Sequence, residues 1–263
     1  MRDDPQHVLP THERRRLLSV VTGHPLAEVY DGMELTQRQA RRYRQLGLRR
    51  MDGEPLQYLE GTVDFGPIRI SIDKRALIPR PETERLWERC VELLDRPEFL
   101  LDLCTGSGCL ALALKHGFPG AHVVGTDLSP EALGLANQNA RTLGAIVEFR
   151  EGDLYDALPE DLVGAFDLIV SNPPYVEDGA FLPMEVREHE PALALRAGED
   201  GLSVLRPLVG GAKRWLAPGG ILALEIGETQ GEDVVALCAG AGLDARVEQD
   251  LAGRDRYVIA TRR

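Results

Sequence analysis

The chain has 263 residues, 43% of them hydrophobic and only 5% aromatic, enough for one α/β domain and a smaller accessory unit. Its formal charge of −12 argues against extended contact with nucleic acid. No stretch approaches the roughly 20 uninterrupted apolar residues that a membrane span needs.

The opening MRDDPQHVLP lacks the apolar core of an export signal, so a cytoplasmic location is the default expectation. Cys90, Cys104, Cys109 and Cys238 form no Cys-x-x-Cys pair, and the histidines show no His-Glu-x-x-His spacing. Neither a zinc site nor a disulfide framework is expected from such a pattern. Charge is unevenly spread: the first sixty residues hold ten arginines against nine acidic side chains, whereas the remainder holds 20 basic against 33 acidic. Two regions with different tasks fit that split.

Residues 11–50 are rich in Arg, Leu and Gln without β-branched runs and predict several short helices, broken near Gly23-His24-Pro25 and Asp31-Gly32. Alternating apolar residues around Gly66-Pro67 predict a hairpin over 61–73. Ile78-Pro-Arg-Pro-Glu-Thr-Glu84 leads into a helix reaching about Leu94, with Thr83 or a neighbour as its cap. From residue 99 onward, strands alternate with helices. Strands are expected at 99–103, 122–127, 146–150, 166–171, 220–226, 245–249 and 256–261, with Ala217-Pro-Gly-Gly220 read as a turn. Such alternation implies a largely parallel, doubly wound sheet.

Three segments at strand ends carry the chemistry. Asp102-Leu-Cys-Thr-Gly-Ser-Gly108 joins the first of these strands to its helix; glycines there let backbone approach a ligand, and the helix start offers N–H donors. Asp127 ends the next strand, where a carboxylate can accept both hydroxyls of a ribose, while Ser129 is better placed to cap the following helix. The glycine turn lacks the third glycine of the dinucleotide fingerprint, which favours an adenosyl ligand without phosphate over NAD. Ser171-Asn-Pro-Pro-Tyr175 follows the fourth strand. Its prolines fix a rigid turn that leaves the Pro173 carbonyl open as an acceptor, and Asn172 offers a second acceptor. A planar NH₂ has two hydrogens to hold, and two acceptors fit it.

In that setting Asn172-Pro-Pro-Tyr175 resembles the signature of class I methyltransferases acting on exocyclic or amide nitrogens. The chain over about 54–260 is similar to the HemK/PrmC family, the glutamine methyltransferases of peptide chain release factors. The matching pieces are Glu54-Pro-Leu-Gln-Tyr58 with Gly61, the Arg80-Pro-Glu-Thr-Glu84 element, the glycine turn, Asn-Pro-Pro-Tyr, Glu190-Pro-Ala-Leu193 and Glu225-Ile-Gly-Glu-Thr-Gln-Gly231. The resemblance implies a Rossmann-like, seven-stranded, mostly parallel class I sheet over 76–263 with its last strand antiparallel. A helical substrate-recognition unit over 1–60 and a hairpin connector over 61–75 would precede it. It implies S-adenosyl-L-methionine (AdoMet) as methyl donor, S-adenosyl-L-homocysteine as product, and no metal. The substrate would be the glutamine of the Gly-Gly-Gln motif of class I release factors.

Site roles follow on the same basis. Cys104, Thr105, Gly106, Ser107, Gly108, Asp127, Asp153, Leu154 and Asn172 would hold the cofactor. Asn172, Pro173 and Tyr175 would act in catalysis, and Arg80, Glu82, Asn172, Pro173, Pro174 and Tyr175 would face the substrate, with the Tyr175 ring as a flat wall. Two departures stand out. Asp153-Leu154 lacks the aromatic residue some family members carry there, and Cys104 replaces a more usual glycine, which requires a negative φ at Cys104. A ribosomal-protein glutamine methyltransferase is the nearest alternative. A DNA adenine-amino methyltransferase shares the turn, but the charge and the lack of a basic stripe argue against it.

Overall fold

The computed structural model describes residues 8–263; the first seven residues, on which most of the export-signal reading rests, lie outside the described part. The first helix, α1 (Thr11–Thr22), ends at Gly23, whose φ of 76° closes it in the left-handed conformation. Helix α2 (Gln37–Met51) opens with a capping box in which Thr36 and Gln39 satisfy each other's backbone N–H groups. A single turn, α3 (Leu56–Glu60), follows. Leu17, Leu18, Val21, Tyr43, Leu46, Leu56 and Leu59 form a small apolar core among these helices, separate from the sheet. Arg50 pairs with Glu13 at 2.8 Å inside this unit and with Glu185 at 3.1 Å outside it. The hairpin is formed by β1 (Thr62–Phe65) and β2 (Ile68–Ser71), paired antiparallel across Gly66-Pro67.

Helix α4 (Pro81–Leu93) leads to β3 (Phe99–Leu103), α5 (Cys109–Gly117), β4 (His122–Asp127), α6 (Pro130–Leu143) and β5 (Glu148–Glu151). Then come β6 (Phe166–Ser171), α7 (Met184–His189), α8 (Leu205–Trp215), β7 (Leu216–Glu225), α9 (Gly231–Gly240), β8 (Leu243–Gln249) and β9 (Asp255–Arg262). The seven strands order as β5-β4-β3-β6-β7-β9-β8, parallel except that β9 runs antiparallel to both neighbours. Two apolar clusters sandwich the sheet, one gathered around α8 and α9 and the other around α4 and α5. The strand order reverses between β3 and β6, and in open α/β sheets the crevice at that point is where ligands bind.

One local expectation is refined and another corrected. β7 starts at Leu216, ahead of the expected turn, and its pairing with β6 jumps from Leu216 to Ile221, so residues 217–220 turn within the strand as an unpaired bulge with Gly219 at φ 79°. Thr83 does not cap α4. The N-cap position is Arg80 with no side-chain bond, Pro81 supplies the preset φ of the first turn, and Thr83 is turned inward and buried.

Candidate active site

At the carboxyl ends of β3, β4 and β6 lies a cavity of about 230 Å³. Cys104, Gly106, Asp127, Asp153, Leu154, Asn172 and Pro174 line it, together with Leu128, Leu193 and Val204. The glycine turn is tied from both sides. Asp102 at its base is wholly buried; its Oδ2 accepts the Thr105 hydroxyl (2.6 Å) and the Ala111 N–H (3.1 Å), while Oδ1 has no partner. Burial pushes the Asp102 carboxyl up to about 7, against the pull of those two donors. At the other side Asp127 accepts the Gly106 N–H through Oδ2 and the Ser129 N–H through Oδ1. Burial raises the Asp127 carboxyl, and its backbone donors oppose that rise. Ser129 caps α6 by accepting from Ala132 at 3.2 Å, which leaves Asp127 at the cavity wall.

The requirement of a negative φ at Cys104 is not met: it sits at φ 59°, and Leu154 sits at φ 48°. These are the two non-glycine residues with positive φ among the described ones, and both line this cavity. Strained backbone of this kind clusters where a chain grips a ligand. A side chain at Gly108 would be strained by its left-handed φ of 81° and crowded, because a Cβ there would stand 3.1 Å from Ala136 and Phe149.

The lining fits a cationic adenosyl ligand. No described arginine or lysine pairs with Asp127 or Asp153, although Arg75 and Arg196 also border the cavity. Arg75 is bound to Asp73, and Arg196 donates to the carbonyls of Glu177 and Ala180. The two carboxylates thus face the cavity without a cationic side chain, and Leu128, Leu154 and Val204 offer an apolar wall.

The Asn-Pro-Pro-Tyr turn is held by its neighbours. Ser171 donates to the Leu103 carbonyl at 2.6 Å, and Gln230 donates to the Tyr175 carbonyl at 3.1 Å. Val176 joins the 190–197 segment through its N–H to Leu195 and its carbonyl from Ala197, each at 2.9 Å. Asn172 is half-buried at the cavity, and its Nδ2 donates to Thr83 Oγ1 at 2.9 Å. Among the described residues no donor engages Asn172 Oδ1 or the Pro173 carbonyl.

Other expected site residues stand elsewhere. Tyr175 is no wall of this cavity: its ring packs on the core and its hydroxyl donates to Glu225 at 3.0 Å. Arg80 is bound to buried Glu190, which also accepts the Ile78 N–H at 3.1 Å. Glu82 offers its carbonyl to the Tyr257 hydroxyl. Thr105, Ser107, Gly108 and Pro173 are buried behind the lining. Thr83, Glu225 and Gln230 support the turn; sequence reading gave Thr83 only a capping role and gave Glu225 and Gln230 no role beyond a matching segment. A lone carboxylate closing the apolar run ILALE was the available signal for Glu225.

A family model described as a methyltransferase domain matches residues 95–250. The chain is 50% identical over 218 residues to the release factor glutamine methyltransferase of Deinococcus radiodurans, covering 81% of this chain and 77% of that one. It is 46% identical to the enzyme of the same name from Mycolicibacterium smegmatis, covering 79% and 75%. Among solved structures, the fold is similar to a 16S rRNA N2 G1207 methyltransferase of T. thermophilus in complex with AdoMet and guanosine. There the TM-score is 0.57 at 21% identity, over 77% of this chain and 50% of that one. The sheet is thus the class I methyltransferase fold, and the chain belongs to the release factor glutamine methyltransferase family.

Proposed function

We propose that this protein methylates the side-chain amide nitrogen of the glutamine in the Gly-Gly-Gln motif of class I peptide chain release factors, with AdoMet as donor. The observation that carries the reading is Asn172 Oδ1, an acceptor without a donor at the cavity wall, with the unpaired carbonyl of buried Pro173 next to it in the same turn, beside a cavity whose carboxylates lack cations. The names of the 41–50% identical relatives support the release factor over a ribosomal protein as substrate.

In this reading residues 104–108 hold the methionyl part of the cofactor, Asp127 the ribose, and Asp153 with Leu154 the adenine. Bound AdoMet would supply a sulfonium methyl that is already activated: the N–CH₃ bond forms as the S–CH₃ bond breaks, S-adenosyl-L-homocysteine leaves and the displaced amide proton passes to solvent, so the chemistry calls for no metal. The protein's task lies with the nucleophile, because an amide nitrogen delocalises its lone pair into the carbonyl. Asn172 and Pro173 each accept one hydrogen of the glutamine NH₂ and so favour a pyramidal, more nucleophilic nitrogen as charge develops. Holding that nitrogen in line supplies further acceleration, up to about 7–11 kcal/mol in well-oriented systems.

The helical unit 1–60 and the connector 61–75 then grip the remote body of the release factor while the domain 76–263 takes its glutamine. No helix of the described residues is long and apolar enough to cross a membrane, which agrees with a cytoplasmic enzyme acting on a translation factor. Mass spectrometry of a purified release factor after incubation with the enzyme and AdoMet tests the proposal. One added methyl on the Gly-Gly-Gln peptide is expected; a methyl found elsewhere, or none, overturns it.

A further inference from the structure

The Asn172 carboxamide is one end of a buried chain of hydrogen bonds. Its Nδ2 donates to Thr83 Oγ1 at 2.9 Å, and the Thr83 hydroxyl donates to Glu225 Oε2 at 2.7 Å. The other carboxylate oxygen of Glu225 accepts the Tyr175 hydroxyl at 3.0 Å. Thr83 is 2% exposed and Glu225 1%, and neither lines the cavity. The chain thus joins three distant sequence elements: the start of α4, the turn after β6 and the end of β7.

A hydroxyl has one proton. Burial raises the Glu225 carboxyl, while the Thr83 and Tyr175 hydroxyls and the nearby Arg256 favour its ionised form; to that carboxylate, which can only accept, Thr83 gives its proton and has only lone pairs left for Asn172. The Asn172 amide must therefore turn its NH₂ inward, which leaves Oδ1 outward. Turned the other way, its NH₂ would meet the NH₂ of the substrate, donor against donor, and the acceptor role would be lost. Glu225 receives one donor on each oxygen, so both ends of the buried carboxylate are engaged.

We infer that Thr83 and Glu225 are positioning residues that set which way the Asn172 amide faces, and thereby present its oxygen to the substrate nitrogen. The inference rests on the reading of Asn172 as an acceptor, and the test separates the two. Thr83→Val keeps the side chain's shape and removes the hydroxyl; Thr83→Ser keeps the hydroxyl. Glu225→Gln places an NH₂ in the network that can donate to Thr83, freeing the Thr83 proton for Asn172 Oδ1 and turning the amide over.

The measurements are single-turnover methyl transfer to a full-length release factor, AdoMet affinity by calorimetry, and melting temperature, on the whole enzyme. For Thr83→Val the maximal rate is expected to fall about 10- to 100-fold, while AdoMet affinity stays within about twofold. Thr83→Ser should recover most of that rate, and Glu225→Gln should resemble Thr83→Val. A folded Thr83→Val enzyme with the wild-type rate overturns the inference. So does a loss of rate that Thr83→Ser shares equally, because the hydroxyl is then not what matters. Asn172→Ala run beside them marks the difference: if it keeps the wild-type rate, the acceptor reading itself fails. If Asn172→Ala is slow while Thr83→Val is not, only the positioning role fails. Should Glu225→Gln not fold, the Val and Ser variants of Thr83 decide the matter.

Discussion

The Gly106 N–H donates to Asp127 Oδ2 at 2.8 Å, so one carboxylate ties the turn after β3 to the end of β4. Its second oxygen holds the Ser129 N–H at the start of α6. Two walls of the cavity are thereby fixed relative to each other by a side chain that itself faces the ligand space. Each carboxylate oxygen keeps a further lone pair for a ribose hydroxyl. Asp127→Ala should therefore weaken AdoMet binding about 10- to 100-fold, since hydrogen bonds to a charged group contribute about 1.5–3 kcal/mol. Calorimetry checks this, and unchanged affinity would remove Asp127 from the cofactor site.

Cys104 at φ 59° makes a sharper prediction than its chemistry does. A β-branched side chain is poorly tolerated in the left-handed region, whereas glycine enters it without strain. Cys104→Gly should melt within a few degrees of wild type. Cys104→Val should lose about 2 kcal/mol, or about 4–8 °C in a protein of this size. Equal melting temperatures for the two variants would show that the backbone there is not held as described.

Arg80 is bound to the Glu190 carboxylate, whose side chain is 1% exposed and which also accepts the Ile78 N–H. Removing the guanidinium would leave a nearly buried charge with one backbone donor. Breaking a buried pair costs about 3–5 kcal/mol, and because Arg80 is itself one-third exposed, about 2 kcal/mol is the expected loss for Arg80→Ala. Melting should fall by about 4–8 °C. An unchanged melting temperature together with weaker release factor binding would return Arg80 to the substrate surface.

What the sequence made legible follows from the range of the interactions involved. The bounds of β3 and β6 were readable because each is a short apolar run stopped by a sharp turn, and Ser129-Pro130 announced α6 by local chemistry alone. Asp127, Asp153, Leu154 and Asn172 meet at one cavity because strand ends in a parallel sheet meet there, which the alternation of elements already implies. Thr83 was misread because its position three residues into a helix suits a capping role, and its real partner, Glu225, lies 142 positions away. Tyr175 was misread for the same reason: an aromatic ring after Pro-Pro says nothing about which side of the turn its hydroxyl will find a carboxylate. The positive φ of Cys104 had no side-chain signal, since a cysteine gives no hint of left-handed backbone.

Asp102 supplies a stability test that is independent of the reaction. Its carboxyl is pushed up to about 7 by complete burial, and one of its oxygens has no partner. An unfolded aspartate titrates near 3.9. Between those values the folded chain holds a proton on Asp102 that the unfolded chain has already released, so stability falls as pH rises from about 4 through about 7. A rise of about three units corresponds to about 4 kcal/mol across that window. Burial also raises Asp127 and Glu225, which act in the same direction, while Glu13 and Asp73, lowered by their arginines, lose stability instead as pH falls below the carboxylate range. The Asp102 share is therefore best read as a difference. Asp102→Asn keeps the size and an acceptor for Thr105 and Ala111 but cannot ionise. In urea unfolding of the ligand-free enzyme, its stability relative to wild type should climb by several kcal/mol between pH 4 and pH 7. Two stability curves that run parallel over that range would mean that Asp102 is already ionised at pH 4 and that a donor reaches Oδ1.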